Sequence, residues 1–260
     1  MLECVINVSE GRNHAIIDSL AQSCAGDLLD VHSDPDHNRS VFTMLGVDAP
    51  RALARAAVAA LGLNDHSGVH PRIGVVDVVP FVPLVDSTMH DARVARDEFA
   101  EWAAAELNVP CFLYGTERAL PDIRKTAWTS LMPDVGSHLP HSTAGAICVG
   151  VREPLVAYNL WLENVDLATT RRIASDVRTV NIRTLGLQVG TFTQVSVNLI
   201  QPMIAGPNDV FNAVSQHAKV HHAELVGLLP ASVLAVIPRA RWEDLDLSVE
   251  QTIEWRVTNR

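Results

Sequence analysis

The densest group of polar side chains in the sequence is HSGVHPRIG, residues 66–74. The ordinary pKa of a histidine lies near neutrality, so His70 can take up and release a proton during a reaction. Arg72 carries a planar guanidinium that can hold a carboxylate through two hydrogen bonds. Taken alone, the segment favours a polar loop with solvated histidines. Acid–base chemistry at His70 beside an anion-binding Arg72 is the functional alternative.

A metal site is a weaker interpretation of the same histidines. Two ligands four residues apart require a helix, whereas Gly68 and Pro71 indicate a loop between His66 and His70. Three more histidines have helical spacing, which is more typical of a solvated helix face than of a site: His217, His221 and His222. We therefore predict no metal.

A second polar segment is HSDPDHNRS, residues 32–40. Asp34, Asp36 and Asn38 are residue types that favour turns, so a plain turn between two strands is one interpretation. In the functional alternative these side chains orient a substrate amidine, and Arg39 holds an acid group.

A third segment is PDVGSHLPHSTAGA, residues 133–146. Gly136 and Gly145 allow the backbone to approach a flat ligand closely. The sequence contains no GxGxxG, no phosphate-binding loop of the Walker type and no GxSxG.

The patterns of apolar residues predict the elements that position these segments. In the first half they predict strands at 3–7, 27–32, 40–47 and 73–82, with helices at 14–24 and 49–61. A helix at 88–107 and strands at 109–114 and 144–151 follow, while 116–142 is expected to be irregular. In the second half the pattern predicts strands at 155–162, 185–189, 194–200 and 224–228, with helices at 166–178 and 207–221.

Both halves therefore have the order strand, helix, strand, strand, helix, strand, which is typical of the ferredoxin-like split βαβ arrangement. We predict an α/β (α+β) fold with two ferredoxin-like βαββαβ subdomains, 1–153 and 154–260. Asn13 and Thr88 are expected to cap the helices that follow them.

Composition limits the class of function. The 260 residues are 48% hydrophobic and 19% charged, and the formal net charge is −10. Such an acidic chain without a Lys/Arg-rich run is a poor ligand for nucleic acid or anionic membranes. The N-terminus lacks a basic segment followed by an apolar run, so we expect no signal peptide and a cytoplasmic protein. We expect reduced thiols at the four cysteines: Cys4, Cys24, Cys111 and Cys148.

The three polar segments, together with other motifs in the same order, resemble the glutamate formimidoyltransferase (formiminotransferase) family. The resemblance covers roughly residues 2–230. Its motifs here are ECVINVSEGRN, LLDVHSDPDHNRSVFTMLG, HSGVHPRIGVVDVVPFVPL, VPCFLYG, PDVG, TAGA, QVSVNL and ELVGLLP. Several long motifs in the right order are more specific than any single one.

The resemblance implies an enzyme that moves a formimidoyl group between N-formimidoyl-L-glutamate and tetrahydrofolate, in one-carbon and histidine metabolism. It implies His70 as the acid–base catalyst and tetrahydrofolate as a co-substrate, with small molecules as the only partners. It also implies two subdomains with a folate cleft between them, a homodimer, and a stand-alone form without a cyclodeaminase domain. The stretch it implies for folate is Gly136, Ser137, His138, Leu139, Pro140, His141, Ser142, Thr143, Ala144 and Gly145.

The chain departs from the family pattern at some positions. Val69 stands where the family has an acidic residue before its HPR motif, and Ser137 stands where it has a proline. These departures leave open formimidoyl transfer with another amine, such as glycine or a specialised metabolite. A non-catalytic folate-binding protein is a further alternative, and a metal hydrolase is the weakest.

Overall fold

A computed structural model of the protein describes residues 1–64, 66–69 and 71–260. The chain divides into two units, Met1–Glu153 and Pro154–Arg260. No helix in those three described ranges is long and apolar enough to cross a membrane.

In its described residues the first unit contains one six-stranded sheet and four helices. Its elements are β1 (Leu2–Val8), α1 (His14–Ser23), β2 (Leu28–Asp34), β3 (Arg39–Leu45), α2 (Asp48–Ala60), β4 (Val76–Pro83), α3 (Met89–Glu106), β5 (Cys111–Tyr114), α4 (Leu120–Thr126) and β6 (Ile147–Val151). The strand order is β2-β3-β1-β4-β6-β5. The first four strands are antiparallel neighbours, as in a ferredoxin-like fold, and β6 and β5 extend the sheet in parallel.

Strand alternation gives β1, β2 and β3 an apolar face and a polar face. Ile6 and Phe42 belong to the apolar face, which packs with α1, α2 and α3 into the main core. The opposite face of β1, β2 and β3 carries polar side chains, and we call it the polar face. Its polar members, from the register of the strands, are Glu3, Asn7, Asp30, His32, Asp34, Arg39 and Thr43.

The second unit contains a four-stranded antiparallel sheet. Its elements are β7 (Val156–Leu162), α5 (Leu167–Asp176), β8 (Ile182–Val189), β9 (Phe192–Leu199), α6 (Pro207–Ser215), β10 (Val220–Val226), α7 (Ala231–Ala235) and α8 (Ile253–Thr258), with 3₁₀ turns at Arg239–Arg241 and Val249–Gln251. The strand order is β10-β7-β9-β8, which is again the ferredoxin-like order. The predicted fold class is therefore confirmed.

The two predicted helix caps are also confirmed. The Asn13 side chain accepts the Ile16 N–H at 3.3 Å. The Thr88 hydroxyl accepts the Asp91 N–H at 3.3 Å, and the Asp91 carboxylate accepts the Thr88 N–H at 2.8 Å. These side chains satisfy amides that the first turn of a helix leaves without partners.

Three sequence predictions were wrong in detail. The region predicted to be irregular contains α4, because Pro121 stands in the first turn of a helix, where a missing N–H costs nothing. Helix α6 ends at Ser215, and β-branched Val220 begins β10, which pairs with β7. His221 and His222 therefore lie on a strand, and their apparent helical spacing was misleading. Helices α7 and α8 were not predicted.

Candidate active site

Asn38 joins three separate segments of the first unit. Its backbone has a positive φ of 47°, a conformation that asparagine tolerates better than most residues. Its side-chain oxygen accepts the Gly11 N–H at 2.9 Å, and its amide donates to the Ser67 carbonyl at 3.0 Å. The N-terminal loop, the β2–β3 turn and the segment before His70 are thus held together by one side chain.

Arg72 fixes the same region from the other end of the motif. Its guanidinium donates to the carbonyl oxygens of His37 at 3.2 Å and Asn38 at 3.4 Å, and it contacts the His66 ring. Burial lowers the pKa of Arg72, and the nearby Arg124 and Arg12 charges lower it further, while Asp77 raises it. Much of the hydrogen-bonding capacity of Arg72 therefore serves the β2–β3 turn.

The surroundings of His66 favour the neutral form of its ring. Its Nε2 lies 2.9 Å from the carbonyl oxygen of Asn38, and Nε2 donates to that oxygen when it carries the ring proton. Burial lowers the pKa of His66, and the Arg72 charge lowers it further, whereas the bond to Asn38 raises it. A neutral imidazole next to a guanidinium suits a structural contact in this loop.

Arg39 differs from Arg72 in its bonding. Its side chain is half-buried on the polar face, and within the described ranges its guanidinium donates no hydrogen bond. Burial lowers the pKa of Arg39, and so do Arg124 and Arg72, while Asp77 and Asp34 raise it. A desolvated cation with unused N–H donors suits an anionic ligand.

The two aspartates of the β2–β3 turn have different environments. Asp34 accepts the N–H groups of Asp36 and His37, both at 2.8 Å, so its carboxylate builds the turn. Asp36 is exposed, and its carbonyl oxygen accepts the Val69 N–H at 3.4 Å. Of the two carboxylates, that of Asp36 is therefore the more accessible to a ligand.

The stretch 136–145 is a loop whose ends are firmly attached. Gly136 and Gly145 have φ angles of 89° and 72°, which favour glycine. His141 Nδ1 accepts the N–H groups of Thr143 at 3.3 Å and Ala144 at 3.0 Å. Most of the loop is exposed: Gly136, Ser137, His138, Leu139, Pro140, Ser142 and Thr143. Its surface is open to a ligand, and the two glycines shape the turns that a flat ring would approach.

This stretch is also joined to the segment that follows His70. Gly74 and Gly145 form an antiparallel bridge, and the Ala146 N–H donates to the Ile73 carbonyl at 2.9 Å. The Leu63 N–H donates to the Thr143 carbonyl at 2.9 Å. All three polar segments that the sequence singled out are therefore connected by hydrogen bonds in the first unit.

His70 itself lies outside the described residues, so its predicted role stays a prediction. Three described residues close to His70 form hydrogen bonds with the rest of the unit: Val69, Arg72 and Ile73.

Asp77, which stands in the apolar run VVDVVPF, was not among the predicted site residues. Its side chain is almost fully buried, accepts the Ile73 N–H at 2.8 Å, and forms a two-pronged ion pair with Arg124 of α4. The signal was available, because a charged residue inside a buried strand is rare unless it is paired.

The described part of the chain shows no group of three or more His, Cys, Asp or Glu side chains arranged to hold a metal ion. All four cysteines are buried free thiols. Burial raises the pKa of the Cys24 thiol to about 11, which makes it a poor nucleophile near neutral pH.

Comparison with known proteins agrees with the resemblance seen in the sequence. The profile of the formiminotransferase domain, N-terminal subdomain, matches residues 1–152. The chain is 33% identical to a glutamate formimidoyltransferase of Streptococcus pyogenes serotype M1, over 90% of each protein. It is 32% identical to a glutamate formimidoyltransferase of Thermoplasma acidophilum, over 90% of this chain and 89% of that protein. It is also 32% identical to a formimidoyltransferase-cyclodeaminase of Sus scrofa, of which it spans 51%. The chain therefore belongs to the formiminotransferase family.

Proposed function

We propose that this protein transfers a formimidoyl group from N-formimidoyl-L-glutamate to tetrahydrofolate. The main support is the hydrogen-bonded connection of the three family motifs. Segment 66–72 bonds to the β2–β3 turn through Asn38 and Arg72, and the residues after it pair with Gly145. Two relatives of matching length are glutamate formimidoyltransferases. Within this proposal, 1–153 is the N-terminal subdomain with the catalytic histidine, and 154–260 is the C-terminal subdomain.

His70 is assigned the acid–base role in the transfer. The attacking folate nitrogen forms a bond to the amidine carbon and must lose a proton. The bond from that carbon to the glutamate nitrogen then breaks, and the departing amine must gain a proton. One histidine of near-neutral pKa can serve both steps in turn, for roughly 10²–10⁴-fold of the rate. Holding the two substrates together supplies much of the remainder.

Arg39 is assigned the main contact to a substrate carboxylate. Among the described residues its guanidinium has no hydrogen-bond acceptor, whereas Arg72 donates to two backbone carbonyls. Asp36, with its exposed carboxylate, is assigned to the cationic amidine. Asp34 and Asn38 support this subsite from the turn, because their side chains bond to backbone groups there.

The stretch 136–145 is assigned to tetrahydrofolate. Its exposed loop, with Leu139 73% exposed, offers apolar surface and backbone groups to a flat ring system. We also propose that the enzyme is a cytoplasmic homodimer that acts only on small molecules and needs no metal, as the resemblance implies.

The proposal is tested by incubating the purified protein with tetrahydrofolate and N-formimidoyl-L-glutamate and following formimidoyl-tetrahydrofolate by absorbance and mass. We expect saturable turnover that survives treatment with a chelator. Turnover with formimidoylglycine but not with formimidoylglutamate would indicate the same transfer with another amine. Binding of tetrahydrofolate without turnover on either donor would contradict it.

A further inference from the structure

Asp77 occupies an irregular position in the middle of the sheet. Val8 of β1 pairs with Val76 of β4, while Asn7 pairs with Val78, so Asp77 is an extra residue at a β-bulge. Bulges turn a side chain away from the regular alternation of a strand. Here the bulge brings a carboxylate that is 2% exposed to the side of the sheet covered by α4.

Both oxygens of this carboxylate are occupied. Nη1 of Arg124 donates to Oδ1 at 2.7 Å, and Nη2 donates to Oδ2. The Ile73 N–H donates to Oδ1 as well, at 2.8 Å. Arg124 is itself only 16% exposed, so the pair has little access to water. Removing one member of such a pair leaves the other as an uncompensated buried charge.

Arg39 is a cation of the polar face that could replace Arg124. Ser40 pairs with Val8, and Val8 pairs with Val76, so Arg39 and Asp77 flank this row of paired residues, Arg39 on β3 to one side and Asp77 on β4 to the other. Only β1 separates these strands, which puts their backbones about 10 Å apart. The opposite effects of Asp77 and Arg124 on the pKa of Arg39 agree with this closeness.

We propose that Arg124 is a positioning residue that keeps the Asp77 carboxylate occupied, and so leaves the Arg39 guanidinium free for the carboxylate of the amino-acid substrate. This inference rests on the proposed function of Arg39. Without Arg124, the buried Asp77 carboxylate attracts the Arg39 guanidinium, and the substrate carboxylate loses its partner. The Asp77–Arg124 pair thus affects substrate affinity, because it prevents the Asp77 carboxylate from competing with the substrate carboxylate for Arg39. This effect is in addition to its packing role.

The test compares Arg124→Gln with the double variant Asp77→Asn/Arg124→Gln. We expect Arg124→Gln to raise the KM for formimidoylglutamate about tenfold or more, the effect of losing one charged hydrogen bond. The KM for tetrahydrofolate should change little. In the double variant no carboxylate competes for Arg39, so the KM for formimidoylglutamate should return towards the wild-type value. An unchanged KM in Arg124→Gln, or a double variant as impaired as the single one, would overturn the proposal.

A control is the ion pair between buried Arg96 and Glu117, whose side chain is 27% exposed; Nη2 of Arg96 lies 3.0 Å from Oε1 of Glu117. Arg96→Gln/Glu117→Gln should lower the melting temperature and leave the KM for formimidoylglutamate unchanged. If Arg124→Gln does not fold, Arg124→Lys keeps the charge and loses the planar fork, and it should raise the same KM to a smaller extent. An unchanged KM in a folded Arg124→Lys would then contradict the proposal.

Binding measurements separate this inference from the proposed function. Absence of turnover in the wild-type enzyme contradicts the proposed function. Calorimetric titration with L-glutamate and formimidoylglutamate then still compares wild type, Arg124→Gln and the double variant. Equal affinity in wild type and Arg124→Gln would contradict the positioning role alone.

Discussion

The backbones of Gly74 and Gly145 form an antiparallel bridge, which joins the segment after the HPR motif to the end of the stretch 136–145. The two segments are distant in the sequence, and the bridge makes them neighbours. Through it, the proposed catalytic loop and the proposed folate loop share one rigid support beside β4 and β6.

The bridge requires a residue without a side chain at Gly74. A Cβ atom there would lie 1.9 Å from the Ala146 carbonyl oxygen and 2.7 Å from that of Val76. We expect Gly74→Ala to lower the free energy of unfolding by about 1–3 kcal/mol, as overpacking does, and to reduce turnover. Urea unfolding and the transfer assay measure the two effects. Gly62→Ala is the control, because a Cβ at Gly62 meets nothing within 4 Å. Equal stability of the two variants would show that the bridge tolerates a side chain.

The contrast between Arg39 and Arg72 predicts two kinds of defect. Arg39→Gln removes a guanidinium that bonds to no described residue, so it should raise the KM for formimidoylglutamate about tenfold and leave stability unchanged. Arg72→Lys loses the planar fork that reaches two carbonyls, so it should lower stability and kcat as well as substrate affinity. Steady-state kinetics and thermal unfolding distinguish the two. A stable Arg72→Lys with a normal kcat would remove Arg72 from the support of the loop.

The environment of His66 predicts a pH dependence of stability. Burial lowers its pKa in the folded protein below the ordinary value of 6.5. Well above pH 6.5 the ring is neutral in both states. As the pH decreases through 6.5, the unfolded chain binds a proton more readily than the folded protein, so the free energy of unfolding decreases as the pH decreases. His66→Gln should reduce this slope, measured by urea unfolding on either side of pH 6.5, while His14→Gln on the exposed side of α1 should keep it. Identical slopes in wild type and His66→Gln would refute this account of the imidazole.

Leu139 predicts an effect on folate alone. Its side chain is 73% exposed in the loop assigned to folate. If tetrahydrofolate covers this side chain, Leu139→Ala should weaken binding by roughly 10-fold to 60-fold, because the variant lacks three carbon groups and each buried methylene contributes about 0.8 kcal/mol. Fluorescence titration measures the Kd, and thermal unfolding should show no change. Val180→Ala, at an 89% exposed position of the second unit, is the control. An unchanged Kd in Leu139→Ala would place the folate ring elsewhere.

The order of elements could be predicted from the sequence because each strand and helix carries its own pattern. The caps Asn13 and Thr88 and the alternation of β1 and β3 are local signals, and they reproduce both ferredoxin-like units. Helix α4 was not predicted because Pro121 was interpreted as an interruption, although proline is also favoured in the first turn of a helix.

The candidate site could be predicted only in part. Residue types suggested which segments carry chemistry, but not which side chains are already used by the fold. The bonds of Asn38 to Gly11 and Ser67, and of Asp34 to the turn, depend on contacts between distant segments or on exact loop geometry. The pairing of Asp77 with Arg124 spans 47 positions and depends on a bulge that the sequence does not mark.

The most direct test of the account is the turnover of His70→Ala with tetrahydrofolate and N-formimidoyl-L-glutamate, alongside a titration of tetrahydrofolate into the same variant. We expect turnover to fall by roughly 10²–10⁴-fold, while the Kd for tetrahydrofolate stays close to that of wild type. Turnover near the wild-type rate in a folded His70→Ala would contradict the assignment of His70 as the acid–base catalyst, and with it the central claim.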